Sequence, residues 1–221
     1  MPRQKVVCLV SGGIDSPVAC ALVARGFEVI PLHFCLYPYT YKDNFYVAVD
    51  VIRELKRRVG FARAVLFPWS RILRRILAKT GRYACLLCRR GMLRAAEWLC
   101  DREGAVGIVT GESLGQKASQ TLPNLAAVSH GIGYPVLRPL LAMDKLEIER
   151  LSKRLGLWRE VHAGCCYAAP RRPRTVARPD QIERFESQLG LRELIESEFK
   201  NALELRTGNE DLENFLQSLA A

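Results

Sequence analysis

Residues 6 to 26, VVCLVSGGIDSPVACALVARG, constrain the fold of this chain more than any other stretch. An aliphatic, strand-like run passes without a spacer into Ser11-Gly12-Gly13-Ile14-Asp15-Ser16. A helical pattern from Ser16 to Arg25 follows and stops at Gly26. Two adjacent glycines let backbone N–H groups turn toward one point, the hydroxyls of Ser11 and Ser16 add donors, and a helix N-terminus supplies positive partial charge. That combination makes an anion site of phosphate size. Pro17 suits the first helical turn, where its missing N–H costs nothing. The plainer reading is a tight strand-to-helix turn with a serine cap. Walker A spacing, with its Lys-Ser/Thr, and Rossmann glycine spacing are both absent, so phosphate would be held without a P-loop lysine.

Downstream, short β-rich runs alternate with longer helical ones, the pattern of a parallel sheet covered by helices. EVIPLHFCL, RAVLFPW, VGIVTGE and YPVLRPL read as strands two to five. Helices are expected over 44–59, 70–79 and 86–101, and another after Asp144, which stands three residues before Glu147 as in a capping box. The expected fold is a doubly wound, five-stranded parallel α/β sheet with a helical C-terminal segment. Residues 1–160 would form the nucleotide-binding domain, 161–179 an irregular Cys/Pro/Arg-rich loop, and 180–221 an acidic segment, helical over 180–214.

Charge separates along the chain. Residues 1–179 carry 29 Lys/Arg against 13 Asp/Glu, whereas residues 180–221 carry 4 against 10. A basic body suits a polyanion such as RNA, although solvated helix faces look the same in sequence. Eight cations, Arg71, Arg74, Arg75, Lys79, Arg82, Arg89, Arg90 and Arg94, fall within 24 residues. No apolar run approaches the roughly 20 residues of a membrane span, and nothing resembles a signal peptide. A cytoplasmic protein with reduced thiols is expected, with no membrane partner.

Of the eight cysteines, Cys8, Cys20, Cys35 and Cys100 fall within strands or helices and read as small core residues. Cys85 and Cys88 differ: they stand at i and i+3 near a helix start, with Arg89 and Arg90 behind them, an environment that favours thiolate. Cys165-Cys166, in the irregular loop, can add a further thiol. Three chemistries remain open: a [4Fe-4S] cluster on Cys85, Cys88 and one of Cys165 or Cys166, a persulfide with a resolving cysteine, or structural zinc. A second polar loop, TGESLGQKASQT (110–121), follows strand four, where open α/β sheets bind ligands.

The SGGIDS loop resembles the PP-loop of the ATP pyrophosphatase family, whose members bind ATP on an adenine nucleotide alpha hydrolase-like sheet and release pyrophosphate while adenylating a carbonyl oxygen. The resemblance implies that Ser11, Gly12, Gly13, Asp15 and Ser16 hold the pyrophosphate and that Asp15 lies near Mg2+. Within that family the second loop is similar to the tRNA 4-thiouridine synthetases, which also serve thiamine biosynthesis. The matching residues are Gly111, Glu112, Gly115, Gln116, Ser119, Gln120 and Thr121, followed by Asn124-Leu125, Arg138 to Leu140 and Asp144-Lys145. Lys117 departs from the pattern as an extra cation facing the site. CLLCRRGM (85–92) fits the archaeal branch, with its Cys-x-x-Cys and a later cysteine.

The resemblance implies a two-step reaction. A uridine carbonyl of tRNA attacks the α-phosphate of ATP, and sulfur from the cysteine centre then displaces AMP. His33 and Phe34, at the end of strand two, would line the adenine, with Gly111, Glu112 and Gln120 also in the ATP site. Family members usually carry ferredoxin-like and THUMP domains ahead of this one; here four residues precede the first strand, so a stand-alone catalytic domain without THUMP or rhodanese domains is expected. Expected partners are tRNA, a sulfur donor (sulfide or a cysteine desulfurase), a separate THUMP-type RNA-binding protein and, in a homodimer, a second copy. The rival readings are another PP-loop adenylating enzyme, such as an amide synthetase, and a non-catalytic RNA-binding subunit.

Overall fold

The computed structural model describes residues 3–206 and 210–219. Five parallel strands, β1 (Lys5–Leu9), β2 (Glu28–Cys35), β3 (Ala64–Pro68), β4 (Ile108–Val109) and β5 (Val136–Leu137), are joined by a sixth, β6 (Leu203–Leu205), in the order β5-β4-β1-β2-β3-β6. Both faces are covered, so the strands read as nearly continuous apolar runs. Alternation nevertheless sorts them: Val7, Ile30, Leu32, Val65 and Phe67 point into one core, and Val6, Cys8, Val29, Ala64 and Leu66 into the other.

The first core is closed by α3 (Ser70–Thr80), α4 (Ala84–Glu103), α5 (Leu122–Ser129), α7 (Pro179–Leu189) and α8 (Leu191–Phe199). The second is closed by α1 (Asp15–Val23), α2 (Lys42–Val59), α6 (Lys145–Arg154) and α9 (Leu212–Ser218). The doubly wound expectation therefore holds. Cys8, Cys20 and Cys35 are buried in the second core and Cys100 in the first, as their positions suggested. The expected capping box is present: Glu147 N donates to Asp144 Oδ1 and Asp144 N to Glu147 Oε2, each at 2.8 Å. Among the described residues no helix is long and apolar enough to cross a membrane.

Two expectations need correction. The sheet has six strands, because Leu203–Leu205, expected to be helical, pairs antiparallel with Ala64–Leu66. An uncovered β3 edge would leave a row of unpaired backbone groups, and three residues suffice to cap it. Residues 207–209 of the expected helical span lie outside the described residues. Helix α5, not among the helices expected from the sequence, starts at Leu122 with Thr121 as its cap and Pro123 in its first turn. The C-terminal helices are built into the cores, through Ile182, Leu189 and Ile195 on one side and Phe215 and Leu216 on the other.

Candidate active site

Strand order reverses at β1, whose neighbours are β2 and β4; Cys8 is level with both Pro31 and Val109. Open α/β sheets bind ligands in the crevice beyond the strand ends at such a reversal. The SGGIDS loop leaves β1 here and the TGES loop leaves β4, so the topology sets the two motifs side by side.

A cavity of about 500 Å³ opens at this point. Its lining includes Ser11, Gly12, Gly13, Asp15, Ser16, His33, Phe34, Cys85, Cys88, Gly111, Glu112, Gln120, Cys165 and Cys166. These fourteen candidate catalytic, ATP-binding and thiol residues are therefore brought to one space. Arg89, Thr40 and Asn44 line it as well and were not singled out as site residues.

The phosphate loop is organised by its own hydroxyls. Ser11 N donates to Ser16 Oγ at 2.8 Å, the two serine Oγ atoms are 2.9 Å apart, and Gly13 N donates to Ser11 Oγ at 3.3 Å. Helix α1 begins at Asp15 without a side-chain cap, which leaves first-turn N–H groups for an anion. Lys145 Nζ lies 2.6 Å from Asp15 Oδ1, so the first turn of α6 delivers a cation to the loop. Gly12 is required by close approach: a Cβ there would lie 2.5 Å from Ala163 Cβ and 3.2 Å from Ala48 N.

His33 is buried, and its Nδ1 lies 2.9 Å from Val10 O. Burial lowers its pKa, so the ring is neutral, with Nδ1–H donating to the carbonyl. A neutral ring locked in this way suits packing against a ligand better than acting as a base. Phe34 is held edge-on to Trp69, with centroids 5.0 Å apart. Gln120 is buried, and its Oε1 has no hydrogen-bond partner among the described residues, which leaves an acceptor for a ligand donor.

Glu112 is spanned by two arginines. Arg138 Nε donates to Oε2 at 2.6 Å, Thr110 Oγ1 donates to the same oxygen at 3.0 Å, and Arg89 Nη1 donates to Oε1. Burial pushes the carboxyl pKa up, but Arg89 and Arg138 outweigh it and hold the group below the usual carboxylate range. Arg90, the next residue, turns the other way. It is fully buried and donates to Glu186 Oε2 at 2.8 Å, while Arg94 donates to Glu186 Oε1 at 2.6 Å. Adjacent helical positions point about 100° apart, so one arginine of the pair serves the cavity and the other the core.

The four remaining thiols meet across the cavity. Cys85 and Cys88 lie on the first turns of α4, and the 161–178 loop is strapped opposite them by Ala163 N to Gly12 O at 3.0 Å and Tyr167 N to Tyr39 O at 3.1 Å. Burial pushes the Cys88 thiol up to about 12, although Trp69 Nε1 donates to its sulfur at 3.2 Å. Cys85 is raised by burial and by the nearby Cys165, against the pull of Arg89 and Lys117. Cys165 is drawn down, first by the hydrogen bond from Cys166 and then, against desolvation, by Lys117 and Arg89; the same hydrogen bond raises Cys166. Among the described residues no three His, Cys, Asp or Glu side chains are gathered around a single ion position, so neither a zinc site nor a cluster site is preformed.

The thiamine biosynthesis protein (ThiI) family matches residues 2–191. A "Probable tRNA sulfurtransferase" from Methanobrevibacter smithii is 38% identical over 203 residues, 89% of this chain and 53% of that protein. A "Probable tRNA sulfurtransferase" from Geobacillus kaustophilus is 37% identical, over 87% of this chain and 49% of its own length. The crystal structure of a 4-thiouridine synthetase–RNA complex with bound ATP superposes with a TM-score of 0.81 at 32% identity, covering 91% of this chain and 55% of that one. The chain thus spans about half the length of these relatives. By sequence and by fold, it belongs to the thiamine biosynthesis protein (ThiI) family.

Proposed function

We propose that this chain is the catalytic unit of an ATP-dependent tRNA sulfurtransferase of the 4-thiouridine synthetase type. One observation carries the reading: the SGGIDS loop and four thiols outside the fully buried core residues line the same cavity. An adenylating enzyme needs the first; only a sulfur-transferring one needs the second beside it. The relatives named tRNA sulfurtransferases and the RNA and ATP held by the 4-thiouridine synthetase support the same assignment.

ATP lies over the strand ends, with its pyrophosphate on Ser11, Gly12, Gly13 and Ser16 and its adenine toward His33 and Phe34. Asp15 Oδ2, which has no protein partner among the described residues, would hold Mg2+, which would supply positive charge to offset that developing on the phosphates. Lys145 sits beside Asp15 to meet negative charge on the transferring phosphorus. The uracil carbonyl oxygen attacks the α-phosphorus and pyrophosphate leaves. Sulfide-level sulfur then adds to the activated ring carbon, and AMP departs with the original oxygen. Glu112 acts through Arg89, holding its guanidinium between the nucleotide loop and the thiols.

Cys85, Cys88 and Cys165 would hold a [4Fe-4S] cluster. The all-thiol donor set fits that group, and three cysteines leave one iron available to a sulfur ligand. Cys166 supports Cys165 by hydrogen bonding rather than acting as a fourth ligand.

Anaerobically purified protein incubated with ATP, Mg2+, sulfide and a tRNA transcript should release pyrophosphate in an RNA-dependent manner and yield thiolated uridine by mass spectrometry. Absence of RNA-dependent pyrophosphate from iron-loaded protein would sink the reading. Iron and labile sulfide in the purified protein support the cluster; their absence, with thiolation retained only when a cysteine desulfurase and cysteine replace sulfide as the source of sulfane sulfur, supports a cysteine persulfide.

A further inference from the structure

We propose that the outer face of α3 and the Arg171-Arg172 segment form one continuous basic track that binds the phosphate backbone of the RNA and guides it to the cavity mouth. The inference rests on the RNA-substrate reading above and adds where the nucleic acid is gripped.

The cations between 71 and 94 divide by partner. Arg89, Arg90 and Arg94 are committed to Glu112 and Glu186 inside the protein. On α3, Arg71 is paired with Glu198 at 3.6 Å, but the other three cations are not. Ile72, Leu73 and Ile76 are buried, whereas Arg74, Arg75 and Lys79 are exposed and have no ion-pair partner among the described residues. At about 100° per residue they fan over about 140° of the helix surface, all of it solvent-facing. Three unpaired cations on one face stabilise nothing in the isolated fold and repel one another.

A second basic segment, nearly a hundred residues away in sequence, is tied to the end of this face. Arg82 Nε donates to Arg172 O at 2.8 Å, and Arg174 N donates to Arg82 O at 3.1 Å. These bonds hold Arg171 and Arg172, both exposed, beside the C-terminal end of α3. Pro170 and Pro173, which bracket the two arginines, line the cavity, as do Leu73 and Leu77 on the inner side of α3. The track therefore runs along the cavity's own wall and ends at its rim. Its length, about 16 Å for an eleven-residue helix, accommodates several phosphates, and it lacks the large apolar side chains that would anchor it in a lipid surface.

The test is binding of a fluorescent tRNA transcript to the full chain across a KCl series, comparing Arg74→Ala/Arg75→Ala/Lys79→Ala with a charge-matched triple on α6, Arg150→Ala/Lys153→Ala/Arg154→Ala. Loss of three phosphate contacts should lower the slope of log affinity against log salt by about 2 in the track variant and leave it unchanged in the α6 variant. Thermal melting, read in parallel, should match the wild type in both. An unchanged slope in the track variant, or equal loss in the two triples, overturns the inference while leaving the sulfurtransferase reading intact. So does a track that matters only for binding phosphatidylserine vesicles. If the wild type binds no RNA and RNA elicits no pyrophosphate, the inference and the reading beneath it fall together.

Discussion

Gly111 backs directly onto Ser16: a Cβ on Gly111 would lie 2.5 Å from the Ser16 N and Cα atoms and 2.7 Å from the Asp15 carbonyl carbon. The loop after β4 and the phosphate loop after β1 are thus one packed unit, set by the pairing of Cys8 with Val109. Gly111→Ala must push backbone against backbone, an overpacking that costs about 1–3 kcal/mol. It should also spread the SGGIDS loop, the proposed phosphate site. Calorimetric titration should show ATP affinity reduced at least about tenfold (about 1.4 kcal/mol). Gly26→Ala, where a Cβ meets nothing within 4 Å, is the matched control and should bind ATP like the wild type.

The Lys145–Asp15 pair joins α6 to the same loop at 2.6 Å. Both groups are partly solvated, so the pair adds little to stability. Its expected importance is in the chemistry. Lys145→Ala should leave the urea midpoint unchanged and lower RNA-dependent pyrophosphate release by about 10²-fold, the scale of losing one charge-stabilising donor. A shifted midpoint with unaltered pyrophosphate release would mark the pair as structural.

Much of this site was legible in the sequence because local rules wrote it. The glycines and serines of residues 11–16, the Asp144 cap and the Cys85/Cys88 spacing each encode their geometry within a few residues. What was not legible depended on long-range packing. That Arg89 would face the cavity and Arg90 the core is decided by Glu112 and Glu186, far away in sequence. β6 escaped because Leu203-Glu204-Leu205 is only three residues long, and its strand character comes from the edge it covers. Lys145 was read as part of a motif, but its contact with Asp15 required α6 to pack beside α1.

Glu186 is the structural counterpart of Glu112. It neutralises Arg90 and Arg94, of which Arg90 is fully buried, and both arginines also donate to backbone carbonyls of the α5 end, Val128 and Gly131. Glu186→Gln strands the fully buried Arg90 guanidinium, whereas Arg94 keeps Glu97 at 2.7 Å. The expected loss is about 3 kcal/mol in urea unfolding, the scale for breaking a buried pair from one side. ATP affinity should be unchanged, because the cluster lies on the core side of α4.

The cysteines separate by step. Cys85→Ser, Cys88→Ser and Cys165→Ser should each abolish sulfur incorporation and reduce iron content while retaining RNA-dependent pyrophosphate release. Cys166→Ser should keep iron and activity within about tenfold, since a serine hydroxyl can still donate to Cys165. Simultaneous loss of both readouts in Cys85→Ser would instead place that thiol in the adenylation step.

The Glu112 ion pairs make a pH prediction with a definite sign. Arg89 and Arg138 hold this carboxyl below its unfolded value, so folding binds fewer protons than the unfolded chain as the group titrates. Its stabilisation is fully present above the unfolded pKa of about 4.3 and is lost as pH falls through the lower folded value. Glu112→Gln removes the titrating group and leaves the two arginines facing each other. The variant should be less stable than the wild type at neutral pH by about 3 kcal/mol. That difference should shrink steadily as pH is lowered below about 4. Urea unfolding at a series of pH values reads it directly: a difference that stays constant down through the acid range would mean that Glu112 stabilises the protein by packing, not by charge.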